Sequence, residues 1–434
     1  MTDNQHNHIQ IKNGRVIDPA NNIDAIQDVF VVDGKIASLG KPPENFSATQ
    51  ILDATNQIVC PGLVDLRVRF REPGFEHKGN INTESKAAAK GGVTTVCCTP
   101  DTNPVIDSPG MVEHMHERGE EVGLVTIKVL GALTSNLNGK QLSEMYSLKK
   151  AGCVGVSNAY IPISSRVMRS AMEYASSAGL TVFINAEDHS LSRGGCAHEG
   201  PVSVRLGLPG VPPSVETVSV ARELQLIELT GVRAHFCHLS TGESAKLIAN
   251  AQKRGLPVTC DVSIYHLFLT EMDIGFFNTM CRVKPPLRTQ RDMETLRSYL
   301  MSGSINAICS DHQPHDVDAK LAPFPSAEPG ISSIESLLSL GLRLVDEDKF
   351  PLPKLIASLT SQPAAIMGID AGTLSVGVRA DICVFDPDMY WDFNEASMVS
   401  FGKNSPFIGW EFQGCVTHTL RKGKLTYQMG EQLK

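Results

Sequence analysis

Eight short apolar runs, separated by helical patterns, constrain the fold more than any other feature of this 434-residue sequence. They occupy residues 58–70, 93–100, 125–133, 153–159, 180–187, 233–240, 257–265 and 305–312. Most of the stretches between them place apolar residues three and four apart, as SVETVSVARELQLIELTG does over 214–231, which is the period of an amphipathic helix. Strands alternating with helices build parallel sheets, and eight such units predict an α/β fold closed into a (β/α)8 TIM barrel over residues 61–369. The runs end in polar residues: Arg67 and Arg69, Asp101, Asn158, Asn185, His238, Tyr265 and Asp311. Active sites of such barrels lie at the C-terminal ends of the strands, so these residues mark where chemistry is expected.

The two ends of the chain read differently. Asn13-Gly14 and Asp33-Gly34 each sit between alternating apolar runs, a pattern that predicts two β-hairpins. Residues 372–434 carry similar strand-like runs. Together they predict one composite β-sandwich domain built from residues 1–58 and 372–434.

Composition narrows the function classes. A net charge of −8 argues against a nucleic-acid binder, which usually presents a basic face. No apolar run approaches the roughly 20 residues needed to cross a bilayer, and no membrane role is expected. The first ten residues are polar, unlike a signal peptide, and the eleven cysteines are scattered without a CxxC pair. Buried free thiols in a reducing cytoplasm are the expectation. His114-Met115-His116 falls in a helical pattern, where residues two apart do not face one another, so it predicts a solvated helix face and not a metal site. His6 and His8 are expected to lie in a free terminus.

The ordered motifs PGLVDLRVRFREPGFEHKG (61–79), AAAKGGVTTVCCTPDTNPVIDSP (87–109), LGLPGVP (206–212), HLSTGES (238–244), KPPLR (284–288), SDHQPH (310–315) and SFGKNSPFIGWEFQGCV (400–416) resemble the bacterial type I dihydroorotases of the amidohydrolase superfamily. The likeness runs from about Ile9 to Gly430. It implies an amidohydrolase-type barrel and, in working members, a binuclear zinc centre. Matched motif by motif, the first-strand His-x-His pair is here Arg67 and Arg69, the fourth-strand aspartate is Asn158, and the fifth-strand histidine is Asn185. His238 and Asp311 are retained, so four of the six metal-ligand positions are lost. The resemblance also implies substrate-pocket remnants: Arg71 and Asp101 match the arginine and asparagine that hold the substrate carboxylate, Lys284 replaces an asparagine, and His315 is kept. An acid at Asp101 is expected to repel an anionic ligand.

Zinc takes three or four ligands from His, Cys or carboxylate, and arginine cannot deprotonate to become one. Bound zinc lowers the pKa of its water from 15.7 to about 7, so its loss forfeits on the order of 11 kcal/mol of nucleophile activation. No cofactor, no metal and no catalytic residue are therefore expected, with His238 and Asp311 vestigial. Arg67 and Arg69 lie two apart on one strand and share a face. Buried guanidiniums need partners, and Asp311 is the expected one, replacing the metal's charge.

The resemblance further implies a non-catalytic subunit that assembles with the aspartate carbamoyltransferase catalytic chain in pyrimidine biosynthesis, as a cytoplasmic oligomer. Two other readings remain open. One is an active cyclic amidohydrolase with a reduced metal site on His238 and Asp311. The other is a small-anion-binding module using Arg67, Arg69 and Arg71.

Overall fold

The structure, a computed structural model, describes residues 8–192 and 194–431. His6 falls outside them. Eight parallel strands form the barrel: Leu63–Val68, Val93–Cys98, Thr126–Ala132, Gly155–Ser157, Thr181–Ile184, Ala234–Phe236, Val258–Ser263 and Ala307–Cys309. Each lies within one of the eight apolar runs. The ring closes where Val68 bridges His312 and the Arg69 amide donates to the His312 carbonyl at 2.9 Å. Strands such as Val93–Cys98 are buried at every position, as parallel strands covered by helices must be. The 214–231 pattern becomes the helix Ser214–Thr230, and His114 and His116 sit on the helix Pro109–Val122, with His114 exposed.

Two sheets make the β-sandwich. One is entirely N-terminal: Lys35–Leu39, Val29–Val32, His8–Lys12 and Gln50–Asp53. The other draws on both ends of the chain, in the order Lys424–Gln428, Trp410–Arg421, Ile382–Phe393, Ile58–Pro61, Arg15–Asp18 and Ile23–Ile26. Ile9, Ile11, Val31 and Leu52 from the first sheet pack against Val16, Val59, Val384 and Leu420 from the second. The chain passes from sandwich to barrel almost without a break, since Ile58–Pro61 pairs with Ile382–Phe393 and the first barrel strand begins at Leu63.

Of the two predicted hairpins, one forms. Val29–Val32 pairs antiparallel with Lys35–Leu39 through Asp33 and Gly34, both at positive φ (48° and 78°), as a tight hairpin turn needs. Asn13-Gly14 does not close a hairpin. His8–Lys12 and Arg15–Asp18 belong to different sheets, and the Asn-Gly pair is the corner between them. A side chain at Gly14 would come within 2.5 Å of Val59, so the corner is set by packing of one sheet on the other. His8, expected in a free terminus, begins a strand and stacks on Phe46. All eleven cysteines are free, and ten are buried. Among the described residues, no helix is long and apolar enough to cross a membrane.

Candidate functional site

The first barrel strand explains how two arginines enter the lumen. Val64 and Leu66 pack in the lumenal cluster, whereas Val68 and Phe70 pack in the outer core. A register irregularity between Asp65 and Val68 shifts the phase, so Arg67 and Arg69 follow on the inner side. Arg67 is 2% exposed, and its Nε donates to Asp311 Oδ1 at 2.7 Å. The expected pairing is therefore present, and it spans 244 residues of sequence. Arg69 divides its charge. Its Nη1 lies 3.8 Å from Asp311 Oδ1, but its Nε donates to Asp101 Oδ2 at 2.8 Å.

Asp101 thus does not stand as a bare charge against an incoming anion; Arg69 consumes it. Burial favours a protonated Asp101, but Arg69, the Thr99 hydroxyl and Arg67 outweigh it and hold the carboxyl at about 2. Asp311 is fully buried and accepts three hydrogen bonds: from Arg67, from the Tyr265 hydroxyl at 2.5 Å and from Gln313 Nε2 at 3.0 Å. Its backbone is left-handed (φ 47°), as is that of His238 (φ 35°), and such outliers cluster at functional sites.

The other positions that the resemblance matches to metal ligands form one polar chain. Asn158 Oδ1 accepts from the Asn185 amide at 3.0 Å, and Asn185 Nδ2 reaches Ser157 Oγ at 3.1 Å. Asn185 Oδ1 meets His238 Nε2 at 2.8 Å. Burial and the nearby Arg67 push the His238 pKa well below the usual histidine value, so the ring is neutral. With Asn185 Oδ1 as acceptor, Nε2 carries the proton.

Tyr160 completes the site, and the sequence reading missed it. Its hydroxyl donates to the Lys284 carbonyl at 2.7 Å and lies within 3.3 Å of both His238 ring nitrogens. The Arg67 guanidinium and Lys284 Nζ lie 5.5 and 4.6 Å from its ring centre. Ala159 and Tyr160 both hold positive φ (44° and 67°), at about 1–2 kcal/mol per residue. The resembling motif reads Ser-Asp-Asp-Gly where this chain has Ser157-Asn158-Ala159-Tyr160, so its glycine falls at Tyr160. That replacement, of glycine by an aromatic residue after a lost aspartate, is the sequence signal that could have found it.

The pocket residues are likewise engaged. Arg71 Nε donates to the Pro314 carbonyl at 2.9 Å, and its Nη2 meets His315 Nε2 at 2.9 Å. Burial, with Arg71 and other cations around it, pushes the His315 pKa down to about 2, so the ring accepts from the guanidinium. Lys284 Nζ pairs with Glu187 Oε2 at 2.7 Å. Beside these groups lies a cavity of about 450 Å³ walled by Tyr160, Glu187, His189, Arg282, Lys284 and Arg288. Arg67 Nη2 and Arg69 Nη1 are buried without a hydrogen-bond partner.

Among the described residues, no three His, Cys, Asp or Glu side chains are grouped to hold a metal ion. The residues at the binuclear positions do not fit zinc either: two are guanidiniums, two are carboxamides, and His238 and Asp311 are already bonded to protein groups. The arrangement can neutralise charge at the barrel mouth.

Residues 56–244 match the family model described as dihydro-orotase-like. The chain is 46% identical, over 97% of its length and 99% of the relative, to the dihydroorotase-like protein of Pseudomonas aeruginosa. It is 41% identical to the dihydroorotase of Geobacter sp. strain M21, over 98% of this chain and all of that one. In fold it is similar to the L-hydantoinase (dihydropyrimidinase) from Arthrobacter aurescens, with a TM-score of 0.88 at 24% identity, over 98% of this chain and 97% of that one. The eight-stranded barrel, its β-sandwich and near full-length identity lead to one conclusion: the chain belongs to the dihydroorotase-like family of the amidohydrolase superfamily.

Proposed function

We propose that this chain is a dihydroorotase-like protein without catalytic turnover, serving as a structural subunit for aspartate carbamoyltransferase. The observation that carries the first half is the buried Arg67–Asp311 pair, with Tyr160 packed against His238. Arg67 meets the charge of Asp311, and the donor set supports a metal-free mouth. The second half, the partner, comes from the family resemblance.

The test has two arms. Purified protein incubated with zinc and then desalted should retain no stoichiometric metal and show no dihydroorotase turnover. Stoichiometric zinc with chelator-sensitive hydrolysis would overturn the reading. The double variant Arg67→His/Arg69→His should stay inactive, because Asn158 and Asn185 still supply no ligand; recovered activity would mean that those two arginines alone block the site. For the partner, co-purification with the organism's aspartate carbamoyltransferase followed by mass measurement should give a mixed oligomer. Two independently eluting proteins would remove the structural role while leaving the first half standing.

A second reading, a small-anion pocket at the mouth, is favoured by the unpartnered buried Arg67 Nη2 and Arg69 Nη1.

A further inference from the structure

The opposite end of the barrel holds a second group of cations, and these have few partners. Lys128 lies on the third barrel strand, Thr126–Ala132. Its strand neighbour across the pair is Cys97, a lumenal residue, and Leu130, two residues on, packs in the same lumenal cluster. Ile127 and Val129 pack outward. Alternation therefore turns Lys128 into the lumen, one layer nearer the N-terminal opening than Leu130. An inward lysine in an otherwise apolar layer needs a reason.

That opening is a cavity of about 730 Å³, within the range of small-molecule sites. Lys35, Lys128 and Arg379 line it together with Ile369 and Val378. Lys35 and Arg379 are held side by side by an antiparallel backbone bridge, with the Ile36 amide on the Val378 carbonyl at 2.9 Å. The cations are thus on rigid backbone. Arg379 Nη2 pairs with Asp381 Oδ2 at 3.0 Å, but its Nε is buried without an acceptor. Neither Lys35 nor Lys128 has a carboxylate within ion-pair distance among the described residues. The one acid in the wall is the exposed Asp370. Nearby, Arg421 and Lys422 share the single carboxylate of Glu120. Burial, then the neighbouring Arg379, push the Lys128 ammonium below the ordinary lysine value.

We propose that this cavity, at the end of the barrel opposite the mouth, binds a phosphate-bearing small molecule through Lys35, Lys128 and Arg379. Two lysines and an arginine lining one cavity suit a multiply charged oxyanion. Ile369 and Val378 in the lining, and the volume, leave room for more than an inorganic ion. The reaction class at the barrel mouth does not enter, so this inference is independent of the function proposed above.

The full chain is titrated calorimetrically at low salt with pyrophosphate and, separately, with ATP. At least one should give a saturable isotherm; saturation by pyrophosphate alone shows that the phosphates suffice, and tighter binding of ATP shows that the apolar lining contributes. Lys128→Met should weaken the binding at least tenfold, and its unchanged far-ultraviolet circular dichroism would show that it folds. Lys284→Met, at the mouth, and Lys246→Met, on an outer helix, should bind as the parent does. No saturable heat with either probe up to 5–10 mM (about the weakest useful affinity) would overturn the proposal. Parent-like binding by Lys128→Met would overturn it as well, and loss of binding in Lys284→Met instead would place the anion at the mouth.

Discussion

The two ends of the barrel carry comparable numbers of cations and treat them in opposite ways. At the C-terminal mouth, Arg67, Arg69, Arg71 and Lys284 each have a hydrogen-bond or ion-pair partner, and Asp311, Asp101 and Glu187 take up three of the four charges. At the N-terminal end, Lys35 and Lys128 have no carboxylate within ion-pair distance among the described residues; Arg379 pairs with Asp381 and keeps one buried nitrogen unsatisfied, as Arg67 and Arg69 do at the mouth. Charges matched within the chain contribute to holding it together. Charges left unmatched on a rigid cavity wall stabilise little and are available to a ligand. The same residue types therefore mean structure at one end and recognition at the other, and only their partners tell them apart.

The sharpest way to break this comparison is Asp311→Ala. It strands the fully buried Arg67, and loss of one partner of a buried pair costs about 3–5 kcal/mol. Chemical denaturation reads the difference; a variant as stable as the parent would mean that the arginines are merely tolerated.

Tyr160→Gly comes next. Truncating a packed aromatic side chain costs about 3–5 kcal/mol, and release of the left-handed backbone returns about 1–2. A net loss of about 1–4 kcal/mol is expected in the same assay. A gain would show that the ring contributes nothing beyond strain.

Acid should then find the mouth and the neighbouring core. Burial depresses His238, His315 (to about 2) and His266 (to about 4) in the folded chain. The unfolded chain protonates them near pH 6.5 while the folded chain does not, so stability is intact above that pH and falls below it. Each contributes a loss of up to about 1.4 kcal/mol per pH unit. Asp101, held at about 2, adds to the loss only once the pH drops below the ordinary carboxylate value. Urea melts at pH 7.5 and 5.0 check the slope, and equal stability at the two values would contradict neutral buried rings.

The smallest effects set the two ends side by side. Lys284→Met removes a partly exposed pair with Glu187 and should cost less than about 1 kcal/mol. Lys128→Met removes a half-buried, unpaired charge and should raise stability by up to about 0.5 kcal/mol. Thermal melts of the two variants in parallel test the contrast; losses of equal size would mean that Lys128 has a partner after all.

By itself the sequence determined a good deal. The eight barrel strands all fall within the eight apolar runs, because parallel strands buried on both faces read as continuous apolar segments. The residues at the strand ends, Arg67, Arg69, Asn158, Asn185, His238 and Asp311, were also legible, since which residue types end the apolar runs is a property of the sequence. Tertiary structure decided the rest. Asn13-Gly14 carries the same turn signal as Asp33-Gly34, yet the first turns a corner between sheets and the second closes a hairpin. Turn chemistry is local, whereas strand partners are chosen by packing across the sandwich. Arg69 shares a face with Arg67, but its shortest bond is to Asp101, 32 residues away and just past the end of the next strand. Tyr160 became the neighbour of His238 and Arg67, and Lys128 came to line one cavity with Arg379, only through tertiary packing. Such pairings follow from strand phase and barrel closure, which bring together residues tens to hundreds of positions apart, and no local pattern carries that information.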